Sequence, residues 1–134
     1  HGKRTLINFG HSYQTYARRF INWNNPLIEL AYQCFKIKKT PIRVLDIGAS
    51  IGDTVLLLES NCPEMIEHFI CVEGDPEFFS LLRENLDDPK KYTLTQSMLS
   101  DTSEAIPNLV RTHLGTASAQ GDLSTEAISL DNLF

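Results

Sequence analysis

The sequence predicts a doubly wound α/β domain with a mostly parallel sheet, preceded by helices. Three observations predict it. Ile42–Ile47 is a nearly unbroken apolar run that passes straight into a glycine-punctuated loop, Gly48-Ala49-Ser50-Ile51-Gly52, and a helix opens at Asp53. A second apolar run, Phe69–Val72, ends in an acid, Glu73, twenty residues after Asp53. A third candidate strand, Tyr92–Gln96, is rich in Thr and alternates, as an exposed edge strand does. Apolar runs of this length, separated by helical patterns, read as parallel strands covered on both faces.

Taken in order, residues 1–41 read as an N-terminal helical segment and 42–134 as the main domain. Tyr13–Trp23 reads as a helix because Tyr16, Phe20 and Trp23 share a face. Asn25-Pro26 reads as a second start, with Asn as cap and Pro in the first turn. Leu27, Leu30, Ala31 and Cys34 then repeat at helical spacing to about Phe35, before Thr40-Pro41 closes the connection. Asp53–Ser60 is a short helix, apolar through Val55–Leu58, and Asn61-Cys62-Pro63 stops it. Asp75 caps a further helix with Pro76 at its first position, and Phe78, Leu81, Leu82 and Asn85 form one face. Asp87-Asp88-Pro89 ends it. A third strand lying beyond the second fits right-handed crossovers. Residues 100–125 read mostly as loop, with Ala105–His113 helical after a Ser103 cap, and Glu126–Leu130 reads as one more short strand.

The loop chemistry narrows the ligand. A dinucleotide fingerprint needs three glycines, and its middle one lets the backbone touch a pyrophosphate. Ser50 stands there instead, and its Cβ obstructs that approach. A ligand without phosphate, whose aminoacyl tail lies along Gly48, Ala49, Ser50 and Gly52, is tolerated; S-adenosylmethionine is such a ligand. Asp46, at the end of the first strand, suits a ligand ammonium group, since opposite charges favour both ionised forms. Glu73 is placed to accept hydrogen bonds from two ribose hydroxyls. Asp53 reads as a helix-start residue that also lines the site, and Gly74 follows the ribose acid closely enough for its backbone to lie beside the nucleoside. The competing reading treats Asp46 and Glu73 as plain strand-end acids.

Several stretches together resemble the class I methyltransferases that use S-adenosylmethionine, and more narrowly the FkbM-type family. They are Val44-Leu-Asp-Ile-Gly-Ala-Ser-Ile-Gly-Asp-Thr54, Val72-Glu-Gly-Asp-Pro-Glu-Phe-Phe-Ser-Leu-Leu-Arg-Glu-Asn-Leu86, Met98-Leu-Ser-Asp101 and Ile128-Ser-Leu-Asp-Asn-Leu133. The resemblance implies a Rossmann-like fold, S-adenosylmethionine as cofactor, O-methylation of a small hydroxylated acceptor such as a sugar or natural product, and Met98 against the adenine. Two departures accompany it. Gly74 stands where the family usually has Pro, and the chain stops at Phe134, before the Lys-x-Asp-x-Glu-Gly-like segment that follows in the family. On that reading the sheet is truncated after its first half. The first strand then lacks a neighbour on one side, and the chain is expected to form a homodimer or to aggregate. Two other functions compete: a non-catalytic cofactor-binding or assembly module, and an NAD-dependent oxidoreductase, which the missing middle glycine opposes.

Composition sets the remaining bounds. Eight of the twelve Lys and Arg but only one of the seventeen acids, Glu29, fall in residues 1–43, leaving four bases against sixteen acids after it. An acidic main domain is a poor partner for a polyanionic backbone, so nucleic acid is not expected. No apolar run reaches the length of a bilayer span, and no membrane partner is expected either. Cys34, Cys62 and Cys71 lack metal-ligand spacing and read as buried, reduced thiols of a cytoplasmic protein. No metal site is expected. His11, in the N-terminal segment, and His68 and His113, in the main domain, are the available imidazoles, and none is assigned as catalytic base.

Overall fold

The computed structural model describes residues 4–7, 18–20, 22–101, 106–112, 116–125 and 127–133, with side chains described outside 106–125. Helix α1 (Asn25–Lys38) leads into β1 (Ile42–Ile47), α2 (Asp53–Asn61), β2 (Ile66–Glu73), α3 (Pro76–Asn85) and β3 (Tyr92–Gln96). Then come β4 (Met98–Leu99), β5 (Ile106–Thr112), β6 (Thr116–Thr125), β7 (Ala127–Ile128) and a 3-10 turn, Leu130–Asn132. The fold is mixed α/β. Its main sheet has the order β1-β2-β3, and both pairings are parallel.

Strand β2 is the central one, and its composition fits that place. Phe69, Ile70, Cys71 and Val72 are all buried, as a strand covered on both faces requires. Helices α1, α2 and α3 bring Ala31, Val55, Leu58, Leu82 and Leu86 into one core with Phe69, Cys71 and Tyr92. Each fully buried aliphatic or aromatic side chain contributes about 1.5–3 kcal/mol of transfer free energy. Because α1 joins this core, the N-terminal helix and the sheet are packed as one body over the described residues. Beneath β3, Tyr92 donates to Glu59 (2.5 Å), which also pairs with Lys91 (2.6 Å). That network satisfies a nearly buried carboxylate, and burial together with Glu59 holds the Tyr92 hydroxyl well above its ordinary range.

Several sequence expectations need correcting. Strand β1 is only half-buried, because among the described residues it is an edge strand. Helix α1 starts on Asn25 itself; Asn24 holds the cap position without a side-chain bond, and the helix runs on to Lys38. No breaker precedes Thr40, and Lys39 ends the helix with a left-handed φ of 61°. Cys34 is exposed, while Cys62 and Cys71 are buried, so the buried-thiol expectation fails for the first of the three. Strand β2 begins at Ile66, where Glu67 and His68 had masked its polar end. The expected helix at Ala105–His113 is instead a strand, Ile106–Thr112, paired antiparallel with Thr116–Thr125. Ile106, Val110, Thr112, Thr116 and Thr125 are β-branched, and cross-strand pairing outweighs the local helical pattern. The last strand shrinks to Ala127–Ile128 and pairs in parallel with β4. Most of the expected Tyr13–Trp23 helix, with Ser103, Ala105, His113 and Glu126, lies outside the described residues. No helix among the described residues is long and apolar enough to cross a membrane.

Candidate functional site

Parallel register places the ends of β1 and β2 side by side, with Ile47 opposite Val72 and Glu73 opposite Gln96. The chain therefore leaves all three strands along one edge, where open α/β sheets hold their ligands. A cleft of ≈ 350 Å³ lies there. Its lining comes from Ile47, Gly48 and Ser50 after β1, Val72, Glu73 and Gly74 at the end of β2, Phe78 of α3, and Ser97, Met98 and Leu99 beyond β3.

The loop after β1 turns sharply because three of its residues are left-handed: Gly48 (φ 77°), Ser50 (φ 50°) and Gly52 (φ 86°). It is fastened to β2 by bonds from Gly48 N–H (2.8 Å) and Ala49 N–H (3.1 Å) to the Val72 carbonyl. Ser50 N–H donates to Glu73 Oε2 (2.7 Å), and Asp75 N–H donates to Oε1 of the same carboxylate (2.7 Å). Glu73 thus ties the two turns together from a buried position. The sequence reading had reserved its oxygens for a ribose; each already accepts one backbone N–H. A carboxylate offers about four acceptor positions, so two are left for a ligand.

The two glycines serve different ends. A Cβ on Gly48 would meet nothing within 4 Å, so only its conformation demands glycine. A Cβ on Gly52 would lie 3.0 Å from Leu82 Cδ1 and 3.1 Å from Leu86 Cδ1. Gly52 therefore lets the loop approach α3. Asn85 strengthens the same junction, donating to the Ile51 carbonyl (2.8 Å) and the Leu6 carbonyl (2.9 Å) while accepting from Leu6 N–H (2.7 Å). Asp75 caps α3 as expected, accepting from Glu77 N–H and Phe78 N–H at 2.9 and 3.0 Å. That cap fixes the helix start that carries Phe78 into the cleft.

Of the residues singled out from sequence, Gly48, Ser50, Glu73, Gly74 and Met98 line the cleft. Asp46, Ala49, Gly52 and Asp53 do not. Ala49 is buried under the loop, and Asp53 is the first residue of α2. Asp46 Oδ2 is buried and has no hydrogen-bond partner. Burial first, then the charges of Asp53 and Glu73, push the Asp46 carboxyl up to about 6. The sequence reading missed Ile47, Val72, Phe78, Ser97 and Leu99. Their signal was positional: each sits at or just after the carboxyl end of a strand, or in the first turn of the helix that follows.

His68 is remote from this edge; its Nδ1 donates to the Lys90 carbonyl (3.2 Å) and its Nε2 meets Thr93 Oγ1 (2.8 Å). His11 and His113 lie outside the described residues. Among the described residues, no group of His, Cys, Asp and Glu could hold a metal ion.

No family model and no curated protein matches the chain. Among solved structures, it is similar to S-adenosylmethionine-bound CalS10, an amino pentose methyltransferase of calicheamicin biosynthesis from Micromonospora echinaspora. The identity is 19% over 72% of this chain and 37% of that one, with a TM-score of 0.48. It is also similar to a proposed RNA methyltransferase from Pyrococcus horikoshii, at 25% identity over 59% of this chain and 38% of that one, with a TM-score of 0.41. The chain thus spans well under half of the length of either. Overlaps of this size assign no activity, and the functional reading rests on the chain's own residues.

Proposed function

We propose that this chain is the cofactor-binding part of an S-adenosylmethionine-dependent methyltransferase of the FkbM type. Residues 42–134 form the binding domain behind an N-terminal helical segment, 1–41. The carrying observation is the Gly48–Gly52 loop, locked by Ser50 N–H on Glu73 at the carboxyl edge of a parallel sheet.

The cleft residues fit the cofactor. At ≈ 350 Å³ the cleft falls in the range of small-molecule sites. Val72, Phe78, Met98 and Leu99 offer apolar walls for a nucleobase, and Glu73 keeps acceptor capacity for sugar hydroxyls. Gly48 and Gly74 offer backbone without side chains, and Ser50 blocks the approach a pyrophosphate needs. Asp46, Ala49, Gly52 and Asp53 complete the proposed cofactor-binding set from outside the cleft lining. When bound, S-adenosylmethionine supplies an electrophilic methyl group; these residues hold and orient it. The acceptor is a small hydroxylated molecule, a sugar or natural product, and the free thiols suit a cytoplasmic setting.

A second reading draws on one observation. Among the described residues, Glu73 is the only acidic or basic side chain lining the cleft, and both its oxygens are engaged by backbone N–H groups. It positions rather than abstracts protons, so these residues by themselves would bind cofactor without turning it over. Calorimetric titration with S-adenosylhomocysteine tests binding, and NADH fluorescence tests the oxidoreductase alternative. Saturable heat with the first and none with the second is expected; the reverse overturns the proposal. A methyl-transfer assay on this chain, with labelled S-adenosylmethionine and a panel of hydroxylated acceptors, separates the catalytic from the non-catalytic reading.

A further inference from the structure

Helix α1 is apolar well beyond what the core uses. Ala31 is buried, and Leu27 and Ile28 pack against the core. Leu30 is nevertheless 60% exposed and Ile37 81% exposed. Seven residues make two helical turns, so these two share one stripe. Trp23, seven residues before Leu30 in the turn that opens the helix, is 66% exposed. Its ring lies 6.1 Å from that of Phe20, itself 44% exposed, and the Arg19 guanidinium sits 5.9 Å from the Phe20 centroid. Large apolar side chains standing this far out on one helix and the turn before it mark an interaction surface.

Charge identifies what covers it. Arg18 and Arg19 precede Phe20, Lys36 and Lys38 flank Ile37 in sequence, and all four are exposed, as are Lys39 and Arg43; residues 1–43 hold one acid, Glu29, which Gln33 Nε2 engages at 2.6 Å. Pairing stripe to stripe with a second copy would bring two basic helices together. An anionic occupant is favoured instead. Side chains that protrude require a matching groove in a protein partner, whereas a bilayer interface yields around them. Tryptophan at the boundary, aliphatic residues along the ridge and lysines able to extend toward headgroups are the features of an interfacial helix. We propose that α1 and the Phe20–Trp23 turn dock this protein on an anionic lipid surface, lying on it without crossing it. The sequence expectation of no membrane partner came from the lack of a span; only the exposure pattern reveals a peripheral contact. The inference is independent of the cofactor reading.

Trp23 is the only tryptophan in the chain, so its emission reports on this surface directly. The full chain is titrated with phosphatidylcholine vesicles with and without phosphatidylglycerol. A blue shift and co-sedimentation with the anionic vesicles alone, reversed by salt, are expected. Leu30→Ser/Ile37→Ser should abolish both, and Lys36→Glu/Lys38→Glu should weaken partitioning by at least about tenfold. All four positions are exposed, and unchanged thermal melts would exclude misfolding. No shift, equal binding to neutral vesicles, or undiminished binding by either variant overturns the proposal. So does a concentration-dependent blue shift without lipid, which would put a second copy on the stripe.

Discussion

At the scale of single residues, the carboxylates at the ends of β1 and β2, half-buried Asp46 and buried Glu73, behave in opposite ways. Glu73 is satisfied by two backbone N–H groups, whereas Asp46 keeps an oxygen with no partner. Removing Glu73 strands both donors and any hydroxyl a ligand brings. Glu73→Ala should therefore weaken S-adenosylhomocysteine binding by about 1.5–3 kcal/mol, the worth of charge-assisted hydrogen bonds, as read by calorimetry. Unchanged affinity would remove Glu73 from the site. Asp46 carries a pH signature. Its carboxyl titrates near 3.8 when unfolded and at about 6 in the fold, so the native state holds the proton longer. Stability from this group is fully present below the lower value and is lost as pH rises through the upper one. Asp46→Asn removes that loss. The variant should be more stable than the parent by about 1–2 kcal/mol above pH 7, allowing for partial exposure, and nearly equal to it around pH 4. Urea melts at the two pH values would show it; a gain that is the same at both would exclude the titration.

At the scale of elements, the loop–helix junction is the part most sensitive to volume. Gly52 is left-handed and closely covered by Leu82 and Leu86, whereas Gly48 is left-handed with open space around it. Gly48→Ala should cost about 1 kcal/mol, from conformation alone. Gly52→Ala adds crowding against two buried leucines and should cost about 2–4 kcal/mol. Comparing their denaturation midpoints tests the packing role, and equal costs would contradict it. The sequence marked both glycines but not this difference. Spacing reveals that a turn exists; which glycine faces the ligand and which faces a helix depends on where α3 lands. Asp75 was legible as a cap, since the bond it makes is local. The β5–β6 pairing was not legible, because Ile106–Thr112 acquires its strand form from cross-strand partners, Thr112 from Thr116 nearby but Ile106 from Thr125, far along the chain.

At the scale of the molecule, the main sheet has two open edges among the described residues, β1 and β3, and β1 is the more apolar. Strand β1 pairs with β2 on one edge, and no described strand pairs with the other. Ile47 at its end is 52% exposed. An unprotected apolar edge strand recruits another, so the chain should self-associate as its concentration rises. Light scattering across a concentration series checks this, and a clean monomer at the highest concentration would contradict it. This contact uses the strand edge, and the lipid-docking stripe uses the outer side of α1, so substitutions in one should leave the other unaffected.

The sequence by itself determined the local grammar: the limits of β1 and β3, the glycine turn, the Asp75 cap and the acid at the end of β2. These follow from near-neighbour chemistry, which a linear pattern carries. Tertiary structure alone decided which residues meet. It turned Gly52 toward α3, set Asn85 against Ile51, buried one oxygen of Asp46 and gathered Phe78, Ser97 and Leu99 at the cleft. It also left half of an apolar helix facing outward. Those outcomes depend on the register of parallel strands and the landing of helices across a core, which no window of sequence contains.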